Sequence, residues 1–266
     1  FYHLTSMPRD GHPLKNGWRL GSVCDEEVSL ACEVFAQWAD DQSRLHYEAF
    51  LAWHRNYTEI DLSDAPVSVS ERYVIGRVVE ALKGRSNLFV DIGAHVGESI
   101  RRMNDAALIF SDYVFFEPDT SSRLLLEADL ASLIPSGAGS TIQSQILASR
   151  RRKVKFQEGL GYCSQIWENA STYLDAYSLD DFNLKPDFLK VHTEGTEAEI
   201  LVGAKDTIKS SRPVISYSVY HRREGFYSDI FSVMSEARGY KWFFRLHSFQ
   251  GTGAFVYGIP STEVEK

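Results

Sequence analysis

Only three of the 266 residues are cysteine, and Cys24, Cys32 and Cys163 form no CxxC pair and leave an odd count. A disulfide framework needs paired thiols, so this usage suits reduced side chains and a cytoplasmic protein. Long apolar runs are missing too: none approaches the roughly 18 residues of a membrane span. Basic excess is absent, with 28 Lys and Arg against 36 Asp and Glu and a formal charge of −8. Phosphate neutralisation needs a cationic face, so nucleic acid is not the expected partner. The GxGxxG fingerprint of dinucleotide enzymes does not occur ahead of a helix, and no HxxxH or CxxC spacing builds a metal site. The sequence opens at Phe1 rather than methionine, so its start need not be the native one.

What is present divides into two parts. Residues 1 to 22 are rich in Gly, Pro, His and polar groups and read as an irregular arm. From Cys24 to Tyr57, apolar residues recur at three and four spacing, as in Val28, Cys32, Phe35 and Trp38, which predicts one or two amphipathic helices. "SDAPVS" breaks that pattern, and "SERYVIGRVVEALKG" predicts a further helix ending at Gly84. The boundary falls near residue 66: an arm and helical cap over 1–66, and one α/β domain over 67–266. The aromatic residues Trp38, Tyr47, Trp53, His54 and Tyr57 of the cap are expected either to cover a cleft and select the acceptor or to pack on the sheet.

Beyond Gly84, short apolar runs alternate with helical stretches. Expected strands are "LFVDI", "YVFFE", "TIQSQIL", "DFLKVH" and "PVISYSVY", with helices such as "TSSRLLLEADLAS" and "TEAEILVGAKDTIKS" between them. This alternation predicts a Rossmann-like, doubly wound, mostly parallel sheet. "YKWFFRLHS" and "GAFVYGI" lie too close for a crossover and should pair as an antiparallel hairpin. "RRRK" at 150–153 reads as a solvated hairpin turn, with a role only if the acceptor carries phosphate.

Ligands of such sheets bind beyond the carboxyl ends of the strands. "LFVDIGAHVGESI" places Asp91, Gly93 and Gly97 there: Gly93 permits a tight turn and close approach of a ligand, and Gly97 relaxes the start of the helix. Glu117, followed by Pro118, closes the second strand where a nucleoside ribose would lie, and a carboxylate can accept from both ribose hydroxyls. An acid at position 91 would repel a pyrophosphate but suits the amino or sulfonium region of S-adenosylmethionine, which is therefore the expected cofactor.

These segments, with "VFFEPDTSSRLLLEADL", "ILASRRRKVKF", "YSLDDFNLKPDFLKVHTEGTEAEILVGA" and "SRPVISYSV", resemble the FkbM-type branch of the class I S-adenosylmethionine-dependent methyltransferases, from about Glu71 to Tyr240. The resemblance implies a seven-stranded sheet. It also implies Asp91, Gly93, Ala94 and Ser99 around the methionine moiety, Glu117 on the ribose, and the segment ending at Ala148 near adenine. Where the family pattern has an acid after the fourth strand, this chain has His192.

Methyl transfer to a hydroxyl needs the acceptor oxygen in line and gains from a base, for which histidine is suited near neutral pH. His192 is the expected general base, with Glu194 as its orienter or as a contact to the acceptor, and His221 in reserve at the same edge. The bland alternative is a TxxE capping box from Thr196 and Glu199, with Glu194 favouring the same helix start. His192 and Glu194 supply only two metal ligands, so no metal is expected. The expected function is O-methylation of a saccharide or small molecule; a nicotinamide-dependent oxidoreductase and a cofactor-binding domain without catalysis are the alternatives.

Overall fold

The structure, a computed structural model, describes residues 24–56, 58–248 and 251–261. The expected arm and Tyr57 lie outside the described residues. Two helices come first, α1 (Asp25–Ala36) and α2 (Asp41–Asn56), followed by a short α3 (Gly76–Ala81). Then come β1 (Leu88–Ile92), α4 (Glu98–Asp105), β2 (Asp112–Phe116), α5 (Thr120–Leu133) and β3 (Gly139–Gln143). Four short strands follow: β4 (Ile146–Leu147), β5 (Arg152–Gln157), β6 (Gln165–Ile166) and β7 (Thr172–Tyr177). The chain then runs through β8 (Phe188–Val191), α6 (Glu197–Val202), α7 (Lys205–Ser211), β9 (Val214–Ser218), α8 (Ser228–Glu236), β10 (Tyr240–Leu246) and β11 (Ala254–Pro260).

Seven strands form one sheet in the order β10-β11-β9-β8-β1-β2-β3. β11 runs antiparallel to β9 and β10, and the remaining pairs are parallel, which is the doubly wound sheet with a terminal hairpin that the sequence predicts. Alternation along the strands sorts the core into two faces. Phe89, Phe115 and Phe188 pack with Val78, Ile100, Met103 and Leu126 on one side. Val90, Leu189 and Ile215 pack with Tyr47, Phe50, Ile200 and Ile230 on the other. Burying each such side chain stabilises the fold by about 1.5–3 kcal/mol.

α2 lies on the sheet and shields the edge strand β10. Trp38, ahead of it, and its own Tyr47 and Phe50 set their rings 5.3 to 5.5 Å from Phe244. Ser43 Oγ and His46 Nδ1 accept from the backbone N–H groups of Phe244 and Leu246, each at 3.0 Å, so donors that would otherwise invite another strand are satisfied. Of the two uses weighed for the cap aromatics, packing on the sheet is the one found for Trp38 and Tyr47, while His54 packs on Phe50 and Phe226.

Three local expectations need correction. "TIQSQIL" is split, because β3 stays in the main sheet while β4 joins a second sheet of order β4-β7-β5-β6. "RRRK" is no hairpin turn: β4 and β5 both pair with β7, and Arg152 opens β5, where Val154 and Phe156 turn inward after exposed Arg152 and Lys153. The single helix expected over 196–210 breaks at Gly203, where a Cβ would stand 2.2 Å from Ala148 O; the break lets the helix pass close to the chain after β4.

Candidate active site

β1 sends its crossover to β2 on one side, while β8 flanks it on the other, so the order in which strands are added reverses between β1 and β8. A cleft of about 640 Å³ opens there, lined among others by Gly93, Ala94, Ser99, Glu117, Pro118, Gln145, Lys190, His192, Glu194, Tyr220 and His221. Of the residues singled out in the sequence, the structure brings Gly93, Ala94, Ser99, Glu117, Pro118, His192, Glu194 and His221 together on this cleft. Asp91, Gly97 and Ala148 do not line the cleft.

Asp91 is fully buried under the loop. Lys190 Nζ stands 2.7 Å from its Oδ1 and Ser99 Oγ donates to its Oδ2, while the same ammonium donates to Gly93 O at 2.7 Å. A lone carboxylate on this loop would suit a cation, but this one is already paired, and the charge that reaches the cleft is that of Lys190. Gly93 has φ +74°, and a Cβ there would stand 2.0 Å from His192 O. Its missing side chain therefore lets two segments of the protein itself meet. Gly97 (φ +82°) precedes α4, where a Cβ would meet Leu133 Cδ1 at 2.7 Å; its role is helix packing.

Glu117 is buried at the end of β2 and accepts from the backbone N–H groups of His95 (2.7 Å) and Asp119 (2.8 Å). Burial pushes its carboxyl above the usual range, and the two amides oppose that shift. Each oxygen keeps a lone pair for a further donor. Asp119 caps α5 through Ser122 N (2.9 Å), and its other oxygen accepts from Gly159 N and Ser164 Oγ, both at 2.7 Å. One side chain thereby ties the main sheet to the loop 159–164, which walls the cleft. The sequence signal was legible as an N-cap in "EPDTSS". Gln145 Oε1 lines the same cleft, buried and without a hydrogen-bond partner.

At the end of β8, His192 lies between two tyrosines, with Nδ1 3.0 Å from Tyr73 OH and Nε2 3.0 Å from Tyr220 OH. Burial, followed by the charges of His221 and Lys190, holds its pKa well below that of an ordinary imidazole, so the ring is neutral at pH 7. Glu194 does not orient it. Glu194 adopts φ +41° ahead of Gly195 (φ +107°), and this turn brings its Oε1 to 3.2 Å from His221 Nε2. His221 Nδ1 stands 2.7 Å from Glu197 Oε1. Burial disfavours the charged form of His221, but Glu197 and Glu194 outweigh it and hold its pKa up at about 10. An imidazolium has no lone pair to offer, so this geometry does not supply the reserve base. The rings of His192 and His221 stack at 5.2 Å.

The TxxE box does not form. Thr196 Oγ1 bonds within the turn to Thr193, and Glu199 reaches Ser149 Oγ (3.1 Å) and Arg152 (2.7 Å). The helix start is served by Glu197, which accepts from Thr193 N (3.1 Å) and Gly195 N (3.0 Å). Tyr73, Gln145, Lys190, Glu197 and Tyr220 went unrecognised in the sequence. Lys190 and Tyr220 lie at strand ends and could have been suspected, but Tyr73 arrives from a distant turn at φ +72°.

A cleft at the reversal point of such a sheet, with a buried acid closing the second strand, lies where doubly wound α/β proteins bind their ligands. The profile of the methyltransferase FkbM domain matches residues 91–242, and the chain belongs to the FkbM methyltransferase family. No curated protein matches. Among solved structures, the FkbM methyltransferase of Methylobacillus flagellatus KT superposes with a TM-score of 0.69 at 20% identity, over 87% of this chain and 59% of that one. That likeness shows the fold, and the chain spans three fifths of the length of that relative. Precorrin-6y C5,15-methyltransferase of Geobacter metallireducens GS-15 reaches a TM-score of 0.41 at 15% identity over 75% of this chain and 96% of its own, too slight a likeness to carry fold or function.

Proposed function

We propose that this methyltransferase uses S-adenosylmethionine and acts on a hydroxyl of a saccharide or small molecule, with His192 as general base. The observation that carries the reading is a buried carboxylate, Glu117, lining the same cleft as a neutral imidazole, His192. The residues fit the cofactor: Glu117 has lone pairs left for both ribose hydroxyls, and the orphaned Gln145 Oε1 suits the amino group of adenine. When bound, S-adenosylmethionine supplies a methyl group on a sulfonium, with a neutral leaving group that needs no acid.

The work left to the chain is to hold the acceptor oxygen in line and to accept its proton. As the oxygen–carbon bond forms and the carbon–sulfur bond breaks, the hydroxyl proton passes to His192, directly or through Tyr220, whose hydroxyl already bonds Nε2. Such a base is worth about 10² to 10⁴ in rate. The family disfavours the oxidoreductase alternative, and a binder without turnover is separated from an enzyme by assay. Calorimetry with S-adenosylmethionine, S-adenosylhomocysteine and NAD tests the cofactor: heat with the first two and none with NAD is expected. Absence of heat with both adenosyl compounds would sink the reading.

A further inference from the structure

We propose that His192, Glu194 and His221 form a binding site for a divalent transition-metal ion of the zinc class on the wall of the cleft. The proposal does not rest on the methyl-transfer reading, and it competes for the His192 lone pair with the base role given there. One donor atom from each of the three side chains lies within 4.8 Å of the others. Two imidazoles and one carboxylate are a donor set suited to Zn²⁺, Co²⁺ or Fe²⁺ and poorly suited to Mg²⁺, which prefers oxygen. The sequence offered only His192 and Glu194; the third ligand, His221, lies in the loop after β9, a neighbour of β8 in the sheet.

His221 carries the case furthest. It is 4% exposed, and its Nε2 is buried without a hydrogen-bond partner, because Glu194 Oε1 at 3.2 Å falls outside hydrogen-bonding geometry. Its other nitrogen is held by Glu197, which also accepts from Ser218 Oγ at 2.7 Å. A divalent ion would displace the proton on Nε2 and leave Nδ1–H donating to Glu197, the arrangement that orients metal-ligating imidazoles. Glu194 supports this independently. A non-glycine residue at φ +41° is disfavoured, and here the turn aims a half-buried carboxylate at the orphaned nitrogen.

Zinc–nitrogen bonds of about 2.0–2.1 Å place donors about 3.3 Å apart, so the three side chains would close by roughly an ångström on binding. The half-buried Glu194 side chain has room to do so. The fourth position opens into the cleft. An ion there takes the imidazole lone pair that proton removal needs, so metal binding and the base role of His192 exclude each other.

The test uses the chain with Cys24→Ser and Cys32→Ser, since these exposed thiols would also hold zinc. Zn²⁺ is titrated calorimetrically, and Co²⁺ by its visible absorption. One ion per chain is expected, with affinity falling at least tenfold in His221→Asn and in Glu194→Gln, and roughly 10- to 100-fold in Glu197→Gln, which acts through His221. Cys163→Ser should leave binding unchanged. Glu194 is partly exposed, so its variant is the one expected to fold, as checked by thermal unfolding. No binding, binding that survives both ligand variants, or binding lost with Cys163 would each overturn the proposal. None of these readouts needs turnover or cofactor, so this outcome and that of the methyl-transfer reading are separable.

Discussion

Two sets of buried histidines sit on the same sheet and do different work. Under α2, His46 bonds Ala65 O at 2.7 Å and accepts from Leu246 N at 3.0 Å, so both its nitrogens are committed to backbone. At the cleft, His192 bonds two tyrosine hydroxyls, and His221 bonds the Glu197 carboxylate and stands 3.2 Å from that of Glu194. A backbone carbonyl and a backbone N–H fix one tautomer for good. Hydroxyls can give up or take a proton, so His192 is placed to change state during a reaction where His46 is not.

Substitutions should separate the two sets. His192→Ala is expected to lower the single-turnover rate by about 10² to 10⁴ while leaving cofactor affinity within a few-fold; simultaneous loss of both would move the residue to the cofactor site. On the packing side, Phe50→Ala should cost about 3–5 kcal/mol in denaturant melts, because Phe50 stacks on Phe226 at 4.5 Å with 1% exposure. The remaining folded protein should keep its rate. Glu117→Gln is expected to weaken cofactor binding by roughly tenfold or more, as loss of a charged acceptor commonly costs about 1.5–3 kcal/mol; unchanged calorimetry would break the link between Glu117 and the ribose.

Smaller effects are legible in pH dependence. His247, between Ser68 O and Tyr257 OH, is pushed by burial down from 6.5 to about 4. The native state therefore binds fewer protons than the unfolded chain, and its stability should be fully present above pH 6.5 and fall as the pH drops toward 4, by on the order of 3 kcal/mol. Glu27, lowered to about 2 by its hydrogen bonds with Arg223, should add a loss between pH 4.5 and 2. That pair is partly exposed and worth about 1 kcal/mol after solvent screening. Replacing His247 with Gln should flatten the first decline and leave the second, as read from melts across the pH range.

Much of the fold was legible because burial patterns are local. "LFVDI", "YVFFE" and the closing hairpin announce strands by their own residues, and Glu117 announces its place by ending one. The second sheet was not legible as a sheet. β4 and β6 have two residues each, and β5 is masked by its Arg and Lys. In the candidate site, single residues could be named but not their partners. Asp91 looked free until Lys190 was found on it, and Glu194 looked like the companion of His192 because it lies two residues away.

By itself, the sequence determined most strands of the main sheet and that this sheet is doubly wound. Apolar spacing and glycine placement act over a few residues, so the chain states them locally. Only the tertiary structure decided the pairings: Tyr73 and Tyr220 on His192, Glu194 and Glu197 on His221, Lys190 on Asp91. These contacts join separate elements or depend on the angle of one turn, and the charge each group carries depends on what burial places beside it.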